Sequence, residues 1–358
     1  MSSGPWMGFF KRVFVGLMAL LAFLACAGAA YQYFENRRDE KRFPQAGQSV
    51  DAGGFRLNLN CSGAARDASG GKKTPAVILE SGLGVPAIGW ALVQPEVAKF
   101  ARVCSYDRAG YGWSDPGPTP RTAEEITREL HTALQNAKIP PPYVLVGHSF
   151  GGMLVRVYTA RYPAEVVGVV LVDASHEEQD AQLPPSMKRA YDYQVAQLHS
   201  IRSALPILRN LGIARLLAGK AGPGVTMSRD LQEEFKYLQL QAKYLDAELA
   251  ETAAMPQSEA ETRAAGSLGD RPLVVLTAGR VAYPANVPAE DAEAFHKLWV
   301  GELQVSLAKL STRGRQVMVE SSTHLIPLQA PQAVVTAIRE VLDELQPGEA
   351  AAVHAETR

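Results

Sequence analysis

The sequence is poor in cysteine and has no excess of charge of either sign. Three of its 358 residues are Cys, and 36 Lys and Arg residues are balanced by 37 Asp and Glu residues, so the net charge is -1. A nucleic-acid-binding surface needs clustered basic residues, so this composition argues against a nucleic-acid partner. The sequence also lacks a glycine-rich phosphate loop, a Cys-x-x-Cys pair and a His-Glu-x-x-His motif. We therefore expect neither a metal nor an organic cofactor.

One long apolar run is present, at the N-terminus. Lys11 and Arg12 precede an uncharged, mostly apolar run over residues 13–33, and basic residues follow it from Arg37 to Arg42. A bilayer-spanning helix needs about 20 such residues, so residues 1–34 are predicted to form a membrane anchor. Small residues between positions 25 and 30 leave a cleaved signal segment open as the alternative. Because positive charge lies on both sides of the run, the positive-inside rule does not set its orientation.

The rest of the chain alternates short apolar stretches with helical patterns, which is typical of a mostly parallel sheet flanked by helices. Residues 35–48 are interpreted as a linker, 49–346 as one α/β domain and 347–358 as a disordered tail. Residues 176–271 are too long for a plain connection and rich in helix formers, so they predict an inserted helical cap. The predicted strands are Phe55–Cys61, Ala76–Glu80, Val103–Tyr106, Tyr143–Gly147, Val166–Val172, Leu273–Thr277 and Gln316–Glu320.

The strongest chemical signal is a Gly-x-Ser-x-Gly motif between an apolar run and a helical pattern. The run from Tyr143 leads into Gly147-His-Ser149-Phe-Gly151, and the helical pattern starts at Met153. In this context the glycines permit a tight strand-to-helix turn that exposes the serine at the carboxyl edge of a sheet. The adjacent helix N-terminus favours negative charge that develops there. Ser149 is therefore the candidate nucleophile, and His148 is assigned packing or positioning.

Four motifs in order give residues 50–345 a resemblance to the α/β-hydrolase superfamily. They are Glu80-Ser-Gly-Leu-Gly84, Asp107-Arg-Ala-Gly-Tyr-Gly-Trp-Ser114, the Gly147–Gly151 motif, and Ser321-Ser-Thr-His324 followed by Pro331. The resemblance implies an α/β fold with a mostly parallel sheet and a helical cap inserted between strands six and seven. It also implies an oxyanion hole made by the backbone N–H groups of Leu83 and Phe150. Such a fold is shared by many activities, so it does not name the substrate.

A serine hydroxyl needs a base within hydrogen-bond reach, and His324 is the candidate. It follows the last predicted strand, so the nucleophile precedes the histidine in the chain as this arrangement requires. The pattern leaves more than one candidate for the acid that orients His324. The stretch after Thr277, where relatives commonly carry it, has no carboxylate before Glu290 and Asp291. We prefer Asp173, at the tip of the buried run that ends at Val172, because an orienting carboxylate should sit on a rigid element.

These residues predict a serine hydrolase that cleaves a carboxylic ester or related acyl bond through an acyl-enzyme. An acyltransferase would use the same residues, and a non-catalytic binding module on this scaffold is a further alternative. The serine argues against epoxide hydrolases and haloalkane dehalogenases of the same fold, which use aspartate at that position. The expected partners are a small acyl substrate and a membrane that holds the N-terminal helix. Neither the natural substrate nor the oligomeric state follows from the sequence.

The resemblance also places Cys61 and Cys104 on neighbouring antiparallel strands, where a disulfide between them is possible. Two buried free thiols are the alternative, because a register error of one residue would point the side chains to opposite faces. A bridge would fit a domain that faces an oxidising compartment. We therefore expect a membrane-anchored protein whose catalytic domain is extracytoplasmic.

Overall fold

The computed structural model describes residues 5–64, 74–218, 227–283 and 286–345. Its centre is an eight-stranded sheet in the order β1-β2-β4-β3-β5-β6-β7-β8. Strand β2 runs antiparallel to β1 and β4, and the other neighbours are parallel, which confirms the predicted mostly parallel sheet. The strands are β1 Gln48–Asp51, β2 Arg56–Ser62, β3 Ala76–Glu80, β4 Val103–Asp107, β5 Tyr143–His148, β6 Val166–Val172, β7 Leu273–Ala278 and β8 Gly314–Val319.

Helices cover both faces of this sheet, so its central strands β3, β4 and β5 are buried along their whole length. Along β5, Leu145 packs into the core on one face and Val144 into the core on the other. The helices are α1 Pro5–Arg42, α2 Gln94–Val97, α3 Ala123–Asn136, α4 Phe150–Arg161, α5 Pro185–Arg202, α6 Leu205–Asn210, α7 Ile213–Ala218, α8 Arg229–Gln239, α9 Ala242–Ala253, α10 Met255–Ala265, α11 Ala289–Leu298, α12 Gln304–Ala308, α13 Ile326–Gln329 and α14 Pro331–Glu344. Helices α3 and α4 bury residues in the first core, and α2 and α14 in the second.

Helices α5 to α10 lie between β6 and β7, where the helical cap is predicted. The last of them packs against the main domain rather than standing free of it. Ser258 of α10 accepts a hydrogen bond from the Ala123 N–H at the start of α3, at 3.0 Å. Met255 joins a buried cluster with Phe150 and Met153 of α4. The cap is therefore anchored beside the turn that carries Ser149.

The N-terminal half of the chain differs from the sequence interpretation in two places. Helix α1 continues to Arg42, so residues 35–42 of the predicted linker are helical. Charged residues favour a linker when read locally, but Asp39 forms a buried ion pair with Arg215 of the cap, which supports the extra turns. Strand β1 is absent from the predicted strands because only one of its four residues, Val50, is buried. The predicted tail, residues 347–358, lies outside the described residues.

Cys61 and Cys104 face each other across the antiparallel pair β2 and β4 and form a disulfide. The third cysteine, Cys26, is free and exposed on α1. The sequence left open whether the two side chains point to the same face, and the register of the two strands brings them together. The bridge supports the expectation of an oxidising compartment, because such bonds are rare in the cytosol.

We expect the disulfide to be measurable by thiol counting and by stability. The bridge joins residues separated by 43 positions, and in the chain-entropy description such a loop stabilises the fold by about 4 kcal/mol. Protein from its native compartment, unfolded without reductant, should show one reactive thiol and, after reduction, three. The double change Cys61→Ala and Cys104→Ala should lower the free energy of unfolding by about that amount, whereas Cys26→Ser should leave it unchanged. Three thiols before reduction would contradict the bridge.

Candidate active site

Ser149 occupies a sharp turn between β5 and α4. Its backbone has φ 54° and ψ -124°, a conformation that L residues seldom adopt and that costs about 1–3 kcal/mol. Gly151 makes the turn possible, because a Cβ there would lie 2.5 Å from the Glu80 carbonyl oxygen. The turn places the Ser149 hydroxyl at the carboxyl edge of the sheet and at the N-terminus of α4. Strain of this kind is held by the surrounding packing and is concentrated at functional sites.

Three of the predicted site residues form one hydrogen-bonded row. His324 Nε2 lies 2.9 Å from Ser149 Oγ, and His324 Nδ1 lies 2.6 Å from Asp173 Oδ2. These residues come from three separate elements, the turn after β5, the end of β6 and the loop after β8. The row therefore exists only once the sheet has placed the three carboxyl strand ends side by side. The histidine is within reach of a hydroxyl on one side and a carboxylate on the other.

Asp173 is held on both of its oxygens. Its Oδ1 accepts hydrogen bonds from the Ala278 N–H at 3.0 Å and from Trp299 Nε1 at 2.9 Å, while Oδ2 contacts His324. Burial opposes ionisation of this carboxyl, but the bonds from His324, Ala278 and Trp299 outweigh it and lower the pKa of Asp173. Asp173 is therefore a fixed anion beside the ring. Nothing in the sequence near Trp299 signalled this contact, which spans 126 residues.

Asp291 is not brought to this row. It lies in the first turn of α11 and accepts a hydrogen bond from Ser186 Oγ of α5. Glu290, its neighbour, is exposed. The sequence favoured Asp173 but kept Asp291 as the alternative, because the choice depends on which strand ends adjoin the His324 loop.

His148 supports the His324 loop from behind. Its Nε2 lies 2.8 Å from the His324 carbonyl oxygen, and the two rings are 4.9 Å apart between centroids. Burial lowers the pKa of His148 to about 3. The ring is therefore neutral at ordinary pH and donates its Nε2 proton to that carbonyl. Positioning, the role that the sequence favoured for His148, is what these contacts supply.

The loop after β3 passes directly over the nucleophile. A Cβ at Gly82 would lie 3.1 Å from the Ser149 Cβ, so a larger residue would press against the Ser149 side chain. Leu83 follows in the same loop, and Phe150 is the first residue of α4. Within the described part of the chain, the N–H groups of Leu83 and Phe150 donate no hydrogen bond to the protein. Both predicted oxyanion donors are thus available, although their role stays a prediction.

Arg108 fixes this loop from beneath, a function that the sequence did not reveal. Its guanidinium donates to the carbonyl oxygens of Ser81 and Gly82, both at 2.7 Å, and to Glu80 Oε1 at 2.8 Å. The same guanidinium binds Glu251 of α9 through Nε at 2.8 Å and Nη2 at 3.0 Å. The Arg108 and Glu251 side chains are 1% and 0% exposed. A buried arginine therefore ties the loop that carries Leu83 to the cap.

Changing Glu251 to Gln should weaken this tie. The substitution leaves buried Arg108 with one carboxylate fewer, and breaking a buried ion pair typically costs about 3–5 kcal/mol. We expect the midpoint of urea unfolding to fall accordingly, and kcat to drop roughly tenfold to a hundredfold as the loop loses its fixed geometry. Glu248→Gln is the matched control, because Glu248 lies three residues earlier in α9 and forms no ion pair within the described residues. Equal behaviour of the two variants would contradict the positioning role.

Two cavities lie near this row. The first is lined by two of its residues, and the second by His148 and Leu325, the chain neighbours of Ser149 and His324. The first, of about 170 Å³, is lined by Asp173, His324, Trp299, Phe295, Tyr283 and Arg280 among others. The second, of about 180 Å³, is almost entirely apolar and is lined by Ser81, His148, Trp90, Leu325 and the cap residues Met227 and Phe235 among others. Leu238 and Leu245, two apolar residues of the cap, are buried. Among the described residues, no group of three or more His, Cys, Asp or Glu side chains could hold a metal ion.

Comparison with known proteins fits this arrangement. A family model described as the alpha/beta hydrolase fold matches residues 75–205, which include the Ser149 turn and Asp173. The chain has the α/β-hydrolase fold. In the sheet of this chain, the turn that carries Ser149 follows β5 and the loop that carries His324 follows β8. The predicted fold is confirmed.

The chain is similar to proteins with several different roles. It is 31% identical over 134 residues to 2-hydroxymuconate semialdehyde hydrolase of Pseudomonas sp., which covers 37% of this chain and 44% of that protein. It is 34% identical over 134 residues to a vacuolar membrane protein of Saccharomyces cerevisiae, covering 35% and 21%. An esterase from Thermogutta terrifontis superposes with a TM-score of 0.55 at 19% identity, over 83% and 98% of the two chains. The chain spans half or less of the first curated relatives it matches.

Proposed function

We propose that this α/β hydrolase is a membrane-anchored serine hydrolase that cleaves carboxylic esters through an acyl-enzyme. The observation that carries the proposal is the position of His324, with Nε2 2.9 Å from Ser149 Oγ and Nδ1 2.6 Å from Asp173 Oδ2. A hydroxyl, a base and an orienting carboxylate in this geometry form an activated nucleophile. A serine nucleophile is suited to acyl carbonyls, and the free N–H groups above it suit the anion that forms there.

The proposed reaction has two stages. In the first, Ser149 Oγ attacks the ester carbonyl carbon while His324 Nε2 takes its proton, and the carbonyl oxygen becomes an oxyanion held by the Leu83 and Phe150 N–H groups. Collapse of this intermediate breaks the bond to the alcohol, which leaves with the proton from His324. In the second, water attacks the acyl-Ser149 carbonyl, gives its proton to His324, and releases the acid with Ser149 restored. Asp173 stabilises the cationic ring in both stages.

The two cavities would receive the two halves of the ester. The apolar cavity beside Ser81 and His148 suits a hydrocarbon chain, since almost every side chain that lines it is apolar. The cavity beside Trp299 contains Arg280 and opens at the His324 ring, so it suits the more polar half. We therefore assign the acyl chain to the cavity lined by Phe235 and the alcohol to the cavity lined by Phe295.

A panel of p-nitrophenyl esters of increasing acyl length tests both the activity and this assignment. We expect turnover with the unchanged protein and a preference for medium-length acyl chains. Phe235→Ala enlarges the apolar cavity, so it should shift the preference toward longer chains by several-fold in kcat/KM. Phe295→Ala, the matched control on the other cavity, should leave the acyl-length profile in place. If only Phe295→Ala shifts the acyl-length preference, the acyl chain and the alcohol occupy the opposite cavities. No turnover with any ester would argue against esterase activity.

The anchor is proposed from α1. This helix is long and apolar enough to cross a membrane by length and composition, and its apolar 18-residue window is not buried inside the structure. The disulfide between Cys61 and Cys104 supports an extracytoplasmic catalytic domain. Extraction of membranes at high pH should leave the protein in the pellet. Protease added to intact cells or sealed spheroplasts should reach the catalytic domain only if the proposed orientation holds.

A further inference from the structure

The turn between α6 and α7 of the cap packs closely against α1. A Cβ at Gly28 would lie 2.4 Å from the Leu211 carbonyl oxygen, and a Cβ at Gly212 would lie 2.8 Å from the Tyr31 ring. Gly28 and Tyr31 belong to the apolar run that would cross the bilayer. The cap is therefore in close contact with the proposed membrane-spanning part of α1.

Ion pairs fix this contact. Arg215 of α7 donates to Asp39 Oδ2 at 2.5 Å and to Asn36 Oδ1 at 3.1 Å, and both Arg215 and Asp39 are buried. One turn further along α1, Arg42 pairs with carboxylates of α8. Because these bonds bracket the C-terminal end of α1, the distance from the cap to the apolar run is set by the fold.

That distance places the cap at the membrane surface. The run 13–33 has the length of a bilayer core, about 31 Å at 1.5 Å per residue. Gly28 lies five residues before Tyr33, about 7.5 Å inside the end of that run. The cap turn that touches Gly28 therefore lies at the depth of the lipid headgroup boundary, where interfacial amphipathic helices rest.

The helices on either side of this turn expose large aliphatic side chains. Ile207 of α6 is 63% exposed, and Leu216 and Leu217 of α7 are 63% and 60% exposed. On α7, Ala214 and Arg215 are buried while Ile213 is also exposed, so the exposed aliphatic residues fall at a spacing of three and four and share one face. Clustered exposed apolar side chains on a folded domain mark an interaction surface.

We propose that α6 and α7 form a membrane-docking face that inserts its aliphatic side chains into the lipid boundary beside α1. The inference rests on the anchoring part of the proposed function, and the occupant is the lipid bilayer itself. It also deepens the substrate assignment. Met227, the first described residue after α7, and Phe235 of α8 line the apolar cavity beside Ser81 and His148. Docking would place this part of the cap at the lipid surface, so the preferred substrates are esters dissolved in the membrane.

Fluorescence quenching in lipid nanodiscs tests the docking. The full chain is labelled with an NBD maleimide at native Cys26, or at Leu217→Cys, Ile207→Cys or Asp343→Cys in a Cys26→Ser background. The quencher is lipid brominated on its acyl chains. We expect strong quenching at positions 26, 207 and 217, and little at position 343, an exposed position of α14 far from α1 in sequence. If the label at position 26 is quenched but labels at positions 207 and 217 are quenched no more than the label at position 343, the docking face is overturned and the anchor is retained. Absence of quenching at 26 would overturn the anchor, and the docking face with it, without touching the Ser149 chemistry.

Activity gives an independent test. The double change Leu216→Glu and Leu217→Glu should reduce kcat/KM roughly tenfold or more for a long-chain ester embedded in vesicles, because two charges replace buried apolar contacts with lipid. Turnover of a water-soluble short ester should change by less than about twofold. The matched control is Val317→Glu with Met318→Glu, an exposed apolar pair on β8 that is 37% and 36% exposed. Equal losses with both double variants, or a loss on the soluble ester alone, would overturn the docking face.

Discussion

Replacement of Ser149 by alanine should abolish covalent labelling by a fluorophosphonate probe and reduce ester turnover by roughly 10⁵–10⁶-fold. The physical reason is that Ser149 Oγ is the hydroxyl that His324 Nε2 contacts, at 2.9 Å. No acyl-enzyme can form without it. The residual rate would come from the oxyanion donors and the cavities, which the substitution leaves in place. Labelling is followed by in-gel fluorescence and turnover by release of p-nitrophenol.

A second serine serves as the control for this experiment. Ser321 lies in the loop that leads to His324 and is exposed, so Ser321→Ala should keep both labelling and turnover. Alanine at position 149 should not unfold the protein, and circular dichroism would show this. The substitution should also leave the backbone strain at position 149 unchanged, because alanine has the same steric limits as serine at φ 54°. Labelling that survives Ser149→Ala would rule out this residue as the nucleophile.

Replacement of Asp173 by asparagine should lower kcat by several orders of magnitude, up to about 10⁴-fold. Asparagine is nearly isosteric, but it cannot hold the cationic ring that forms when His324 takes the serine proton. It also presents an amide that favours the wrong tautomer of His324. Asp291→Asn should cost little, because Asp291 bonds only Ser186 within the described residues. A large loss with Asp291→Asn and a small one with Asp173→Asn would move the acid to α11.

The same substitution should change the dependence of stability on pH. The pKa of Asp173 is lowered in the folded protein, since the bonds from His324, Ala278 and Trp299 outweigh the effect of burial. A lowered pKa stabilises the fold above the unfolded value of about 3.9, and that stability is lost as the pH falls through the folded value. In Asp173→Asn, the free energy of unfolding should fall less as the pH is lowered. Urea unfolding from pH 6 to pH 3 measures it.

The sequence predicts the sheet and the turn at Ser149 well because both depend on local pattern. Buried apolar runs identified β3 to β7, and glycines at fixed spacing identified the Ser149 turn. The exposed, four-residue β1 carries no such pattern. The choice between Asp173 and Asp291 could not be made locally, since each follows a stretch compatible with an orienting acid. It was decided by the order of β6, β7 and β8 in the sheet.

Interactions between distant residues account for the rest. Arg108 and Glu251 are 143 positions apart, and Asp39 and Arg215 are 176 apart. Each of these residues alone resembles an ordinary surface charge. In the folded chain they are buried. The Arg108–Glu251 pair connects the main domain to the cap, and the Asp39–Arg215 pair connects α1 to the cap. No periodicity or motif in one sequence reveals which charges will be buried against each other.

The bond between Arg108 and Glu251 also limits how the two parts of this chain can diverge. Caps are often regarded as exchangeable modules that adapt a conserved hydrolase core to new substrates. Here the core keeps an arginine whose partner is supplied by the cap, at 2.8 Å and with both side chains buried. A cap transplanted from another hydrolase without a carboxylate at that position would leave this buried arginine with Glu80 as its remaining carboxylate partner among the described residues. Among close relatives, loss of one residue of the pair should therefore be accompanied by loss of the other, and chimaeras should respect the same constraint.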